Sequence, residues 1–148
     1  MYTIANTSPM KIVGLRMRTT NERAFQDIPE HWQSFFSEGA QARIPEAVSD
    51  AVYAVYTDFE HQGRDNDGTY SFIIGAQVPD ALPAPDGMVE VHIPASLRAV
   101  FTVETGHPER VGDAWRTIWS TSDLHKTFVC DYERYEKEGA IGIFVGVR

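Results

Sequence analysis

Apolar and polar residues alternate with a period of two along most of this chain, and twice the period lengthens to that of a helix. Lys11 to Thr19 sets Val13, Leu15 and Met17 against Gly14, Arg16 and Arg18, the pattern of a half-buried strand. A short β-type run at residues 2–4 precedes it, separated by the turn-forming Asn6-Thr7-Ser8-Pro9. Ala24, Phe25, Ile28, Trp32, Phe35 and Phe36 then recur with helical spacing. Asn21 is the expected cap of that helix, Glu22 suits its first turn, and Gly39 suits its end. Pro29 predicts a kink or a restart in the middle. Ala40 to Asp50 reads as an irregular connector. Ala51 to His61 reads as a strand, Gln62 to Thr69 as a polar loop turning at Asp67-Gly68, and Tyr70 to Val78 as the return strand.

Residues 79–87 hold three prolines and form the clearest linker in the chain. Beyond it the order begins again. Val89, Val91 and Ile93 alternate in one strand, and Leu97, Ala99, Phe101 and Val103 in the next. Gly106-His107-Pro108-Glu109 opens a helix that carries Val111, Ala114, Trp115, Ile118 and Trp119 and ends near Ser122-Asp123. Phe128 to Tyr135 and Ile141 to Val147 make a last strand pair, joined at Glu138-Gly139.

The chain is thus strand, strand, helix, strand, strand, twice over. Letters repeat as well as pattern: Asp58-Phe59-Glu60 against Asp131-Tyr132-Glu133, and Ile73-Ile74-Gly75 against Phe144-Val145-Gly146. The helical stretches Trp32-Gln33-Ser34-Phe35-Phe36 and Trp115-Arg116-Thr117-Ile118-Trp119 correspond in the same way. A period of half the chain is too long for a solenoid. It predicts an α+β fold of two pseudo-symmetric modules, residues 1–78 and 88–148, in which an antiparallel sheet is backed by two helices. All 148 residues make one domain on this reading, with a pocket in the crevice between modules.

Val129 to Tyr135 is the stretch that stands out chemically. Asp131, Glu133 and Tyr135 share one face of a strand, where acidic residues are disfavoured. Burying an unpaired carboxylate is costly, so one kept among aromatics is suited to a cation that arrives later. Aromatic faces add about 0.5–2 kcal/mol each by cation–π attraction. Trp32 and Phe36, and Trp115 and Trp119, lie four apart on their helices and so share a face. They are either ordinary core or the walls of an aromatic pocket. Glu60, in the matching stretch of the first half, is the other acidic candidate.

Composition narrows the classes. A net charge of −8, with 13 basic residues and no run of them, argues against direct nucleic-acid binding. No apolar stretch approaches the roughly 18 residues of a membrane span, and no signal peptide is visible. A single cysteine, Cys130, excludes an internal disulfide and fits a cytoplasmic protein in which it is a small buried filler. Asp65-Asn66-Asp67-Gly68 lacks the glycine position and terminal Glu of a calcium loop. The five histidines have no ligand spacing, and no phosphate loop, nucleophile elbow, zinc motif or dinucleotide fingerprint is present. Neither a metal nor a cofactor is expected.

The ordered succession Val52–Glu60, Gly68–Gly75, Ile93-Pro94-Ala95, Trp115-Arg116-Thr117-Ile118-Trp119, Asp131-Tyr132-Glu133-Arg134-Tyr135 and Ile143-Phe144-Val145-Gly146-Val147 resembles the GyrI-like, or AraC-type, effector-binding domain. The resemblance implies two strand–helix–strand–strand modules with an aromatic cleft between them. It also implies a small amphipathic or cationic ligand, with the acidic partner at the position of Glu133 and aromatics at Trp115, Trp119, Trp32 and Phe36. With Tyr70 and Tyr135 these form the candidate ligand-binding set. Met1 leads straight into a strand, so the expectation is a stand-alone binder that would reach transcription only through a regulator in trans. Two alternatives stay open: a hydrolase of electrophilic small molecules using the same cleft, and an inhibitor that binds a basic protein partner such as gyrase.

Overall fold

The computed structural model describes residues 2–148. It contains β1 (Tyr2–Thr7), β2 (Met10–Thr20), α1 (Asn21–Ser37), β3 (Val52–Thr57), β4 (Thr69–Val78), β5 (Val89–Ile93), β6 (Ser96–Val103), α2 (Val111–Ser120), β7 (Cys130–Tyr135) and β8 (Ile141–Val147). The fold is α+β. Eight strands form one open antiparallel sheet in the order β1-β6-β8-β7-β3-β4-β2-β5.

The order of strands shows how the repeat is built. β2, β3 and β4 come from the first half of the chain, β6, β7 and β8 from the second, and the halves meet where β3 pairs with β7. The outermost strands are exchanged: β1 pairs with β6 of the second half, and β5 with β2 of the first. Each half therefore completes the sheet of the other.

Both helices lie across the sheet by burying an apolar stripe. α1 buries Phe35 against Val13, Phe72 and Ile74. α2 buries Val111 and Ile118 against Ala99, Ile143 and Val145. Side chains of this kind contribute about 1.5–3 kcal/mol each on burial. The opposite face of the sheet packs Ile12, Val55, Ile73, Tyr132 and Phe144 together.

Four local expectations change. Helix α1 runs unbroken through Pro29, because its packing against the sheet outweighs the roughly 3 kcal/mol a mid-helix proline costs. Asn21 is not the cap: Thr20 holds that place without a side-chain bond, and Asn21 Nδ2 instead donates to the Asn66 carbonyl in the loop opposite. β3 stops at Thr57 rather than His61, because Asp58 turns to a φ of +52°. β7 starts at Cys130 rather than Phe128, which has a φ of +53°. Gly39, at φ +60°, does close the end of α1, its amide donating to the Phe36 carbonyl.

One close approach requires glycine. Gly14 of β2 faces Gly75 of β4, and a Cβ on either would overlap the backbone carbonyl of Ile74 or Val13 respectively. The two strands cross there because neither residue has a side chain.

Candidate functional site

The two helices leave a cavity of about 1120 Å³ between them, floored by the central strands β3 and β7. Asn21, Phe25, Ile28, Trp32 and Phe36 of α1 wall one side, and Val111, Trp115 and Trp119 of α2 the other. Val52 and Tyr56 of β3 and Asp131, Glu133 and Tyr135 of β7 make the floor. All seven residues singled out from the sequence (Glu133, Trp115, Trp119, Trp32, Phe36, Tyr70 and Tyr135) line this one cavity. They are not equivalent in depth. Glu133 is 2% exposed, whereas Trp119 is 50% and Phe36 63% exposed at the mouth. Phe25, 81% exposed, joins them there.

Glu133 is held by three neutral donors. The Tyr56 hydroxyl (2.6 Å) and Trp115 Nε1 (2.7 Å) both donate to Oε2, and the Tyr135 hydroxyl (2.6 Å) donates to Oε1. Among the described residues no basic side chain pairs with it. Burial pushes its carboxyl above the ordinary value of 4.5, while the bonds from Tyr135, Tyr56 and Trp115 pull the other way. Its charge in turn adds to burial in holding Tyr56 and Tyr135 in the phenol form. The donors are themselves fixed by rings. Trp32 meets Tyr135 edge-on at 5.1 Å, and Tyr56 meets Trp115 at 5.2 Å and Phe72 at 5.0 Å.

Asp131 lines the same floor but is held differently. Its Oδ1 accepts the Gly146 amide of β8 at 2.8 Å, beyond the last paired residues of β7 and β8. The carboxylate thus replaces a ladder carbonyl. Burial pushes its carboxyl from 3.8 up to about 6, against the Gly146 bond and the charges of Arg98 and Lys126. Cys130 is buried, and burial pushes its thiol up to about 12, far from a reactive thiolate.

Glu60 is no counterpart of Glu133. It lies past the end of β3, where its carboxylate accepts from the Thr69 amide and hydroxyl and clasps the loop between β3 and β4. The registers show the true equivalence. Tyr56 pairs with Phe72, three residues before Gly75, and Glu133 pairs with Ile143, three residues before Gly146. Tyr56 therefore occupies in the first half the place Glu133 holds in the second. Sequence reasoning missed Tyr56, and its signal lay in the strand pairing, not in the letters.

An aromatic cleft across the central strands of an eight-stranded α+β sheet, with a buried acid on its floor, defines a class of small-molecule-binding fold. The chain belongs to the GyrI-like small molecule binding domain family, which it matches over residues 1–140. It is 30% identical over 139 residues to YobU of Bacillus subtilis (strain 168), covering 88% of this chain and 84% of that protein, whose name proposes a transcriptional regulator. Among solved structures it is similar to the integron cassette protein VCH_CASS2 from the mobile metagenome of Vibrio cholerae. There the TM-score is 0.79 at 22% identity, over 99% of this chain and 95% of that one. SAV2435, solved bound to tetraphenylphosphonium, gives a TM-score of 0.79 at 16% identity, over 100% of this chain and 94% of that one. Among the described residues no helix is long and apolar enough to cross a membrane.

Proposed function

We propose that the cleft binds an amphipathic aromatic cation, with Glu133 as its counter-charge. One observation supports the reading: Glu133 is an almost fully buried carboxylate with three hydrogen-bond donors and, among the described residues, no basic partner, on the floor of an aromatic cavity. Such a group is stable enough to wait, because its donors replace part of its lost hydration. It still has an unbalanced charge that a desolvated cation neutralises. The Trp32, Trp115 and Trp119 faces supply dispersion and cation–π attraction around it. The tetraphenylphosphonium bound to SAV2435 is a ligand of this class. A role as a sensor for such compounds draws support from the name of YobU. Because all three donors favour the ionised carboxylate, the arrangement suits charge recognition better than proton transfer.

The test is titration with tetraphenylphosphonium and with a neutral tetraaryl analogue of the same shape, read by tryptophan fluorescence. Glu133→Gln is expected to weaken the cation by roughly thirtyfold, about 2 kcal/mol, and to leave the neutral analogue within a factor of two. Equal losses for the two compounds would remove Glu133 from charge recognition.

A further inference from the structure

Two carboxylates share the floor of the cleft, and their hydrogen-bond accounts differ. A carboxylate offers about four acceptor directions. Glu133 has three of them filled, both on Oε2 and one on Oε1, by groups of the protein. It presents a ligand with charge and little room for another donor. Asp131 is 8% exposed and accepts one bond, through Oδ1. Among the described residues its Oδ2 has no hydrogen-bond partner. No buried side-chain oxygen among the described residues is sealed off without one, so Oδ2 keeps some exposed surface, and Asp131 lines the cavity. The two residues are two apart on β7 and point to the same face, a separation of about 7 Å along the strand.

We propose that Asp131 is a second ligand subsite, which accepts a hydrogen bond from a neutral hydroxyl or amide N–H carried about 7 Å from the cationic centre. This rests on the cation reading of Glu133. The donor is neutral because Asp131 already has positive charge near it: the buried guanidinium of Arg98 and the ammonium of Lys126 both act on it. A second cation would meet that charge, whereas a hydroxyl meets only a free lone pair. Glu133 therefore reads charge, and Asp131 reads the position of a donor. The preferred ligand is an aryl cation with one polar arm rather than a purely lipophilic ion.

The test uses a matched pair: an aryl trimethylammonium compound with a hydroxyl arm of that length, and its methyl ether, which keeps size and charge but cannot donate. Wild type is expected to bind the alcohol about tenfold more tightly than the ether. Asp131→Asn should abolish that preference, lowering the alcohol about tenfold further than the ether, because both cations lose the same charge attraction but only the alcohol loses an acceptor; the Asn side-chain carbonyl still accepts from Gly146 and its NH2 cannot accept. Glu133→Gln should weaken both compounds alike. In wild-type protein the Gly146 amide resonance should move with the alcohol and not with the ether, which reads Asp131 without any variant. Equal affinities in wild type, or a preference that survives Asp131→Asn, would overturn the proposal and leave the Glu133 reading standing. Failure of both compounds to bind wild type would overturn the two together.

Discussion

The two halves of the molecule share a plan and divide the chemistry. At the equivalent positions on the central strands, the first half places Tyr56 and the second places Glu133, and the one donates to the other. The outer crossing differs as well. The first half sets Gly14 against Gly75, while the second sets the buried Arg98 against Gly146. Arg98 uses the space to donate to the Thr7 hydroxyl and the Cys130 carbonyl, and lies 5.0 Å over the Tyr132 ring. Pseudo-symmetry thus supplies a cleft on the axis, and broken symmetry supplies a polar end to it. A symmetric pair of acids would repel each other there, and a symmetric pair of tyrosines would leave Asp131 alone to supply charge to the floor.

The sharpest way to break the comparison is at the equivalent glycines. A Cβ on Gly75 meets the Val13 backbone, which cannot yield, whereas on Gly146 the nearest atom is the Thr127 hydroxyl at 2.6 Å, the end of a side chain. Gly75→Ala is expected to cost about 4 kcal/mol or to prevent folding, and Gly146→Ala about 1–2 kcal/mol, in denaturant melts. Equal costs would mean that the crossings are not built differently.

Next in size is the pH dependence of Asp131, which stands where the first half has Ala54. A carboxyl raised from 3.8 to about 6 binds its proton more tightly in the folded state than in the unfolded chain. Its contribution to stability is therefore present in full below about pH 4 and is lost as pH rises through about 6, by about 3 kcal/mol in all. In thermal melts across this range, wild type should lose ground to Asp131→Asn as pH rises. A constant difference between them would show that Asp131 is not held as described.

The smallest effect tests the link between halves. Tyr56→Phe removes one of three donors to Glu133 and leaves the rings in place. Cation affinity at pH 7 should fall about fivefold, near 1 kcal/mol. The pH below which binding fades should move upward, because the ionised form of Glu133 has lost a bond. Loss of affinity with no such displacement would assign Tyr56 to packing alone.

Much of this was legible in the residues. Alternation located β2, β5 and β6, β-rich runs between turn signals located the other strands, and the helix stripes located the cleft walls. The acids of the 129–135 stretch stood out because strands disfavour them, and the family resemblance singled out Glu133 among them. What stayed hidden depends on pairing between distant strands. The letters equate Glu60 with Glu133, yet β3 ends before Glu60, and only the ladder to Phe72 puts Tyr56 in its place. The exchange of β1 and β5 is hidden for the same reason, because local pattern does not specify a partner ninety residues away. Pro29 misled by its local cost, which tertiary packing outweighs.

That exchange sets a timetable for folding. β1 is made first, but β6, with which it pairs, starts at Ser96. At the other end, the outer edge of β2 stays uncovered until β5 is made, and the many pairings between distant residues favour slow folding. The floor of the cleft needs both halves, because the free edge of β3 is covered by β7, which carries Asp131 and Glu133. The pairing that joins the halves is also the one that brings Tyr56 to Glu133.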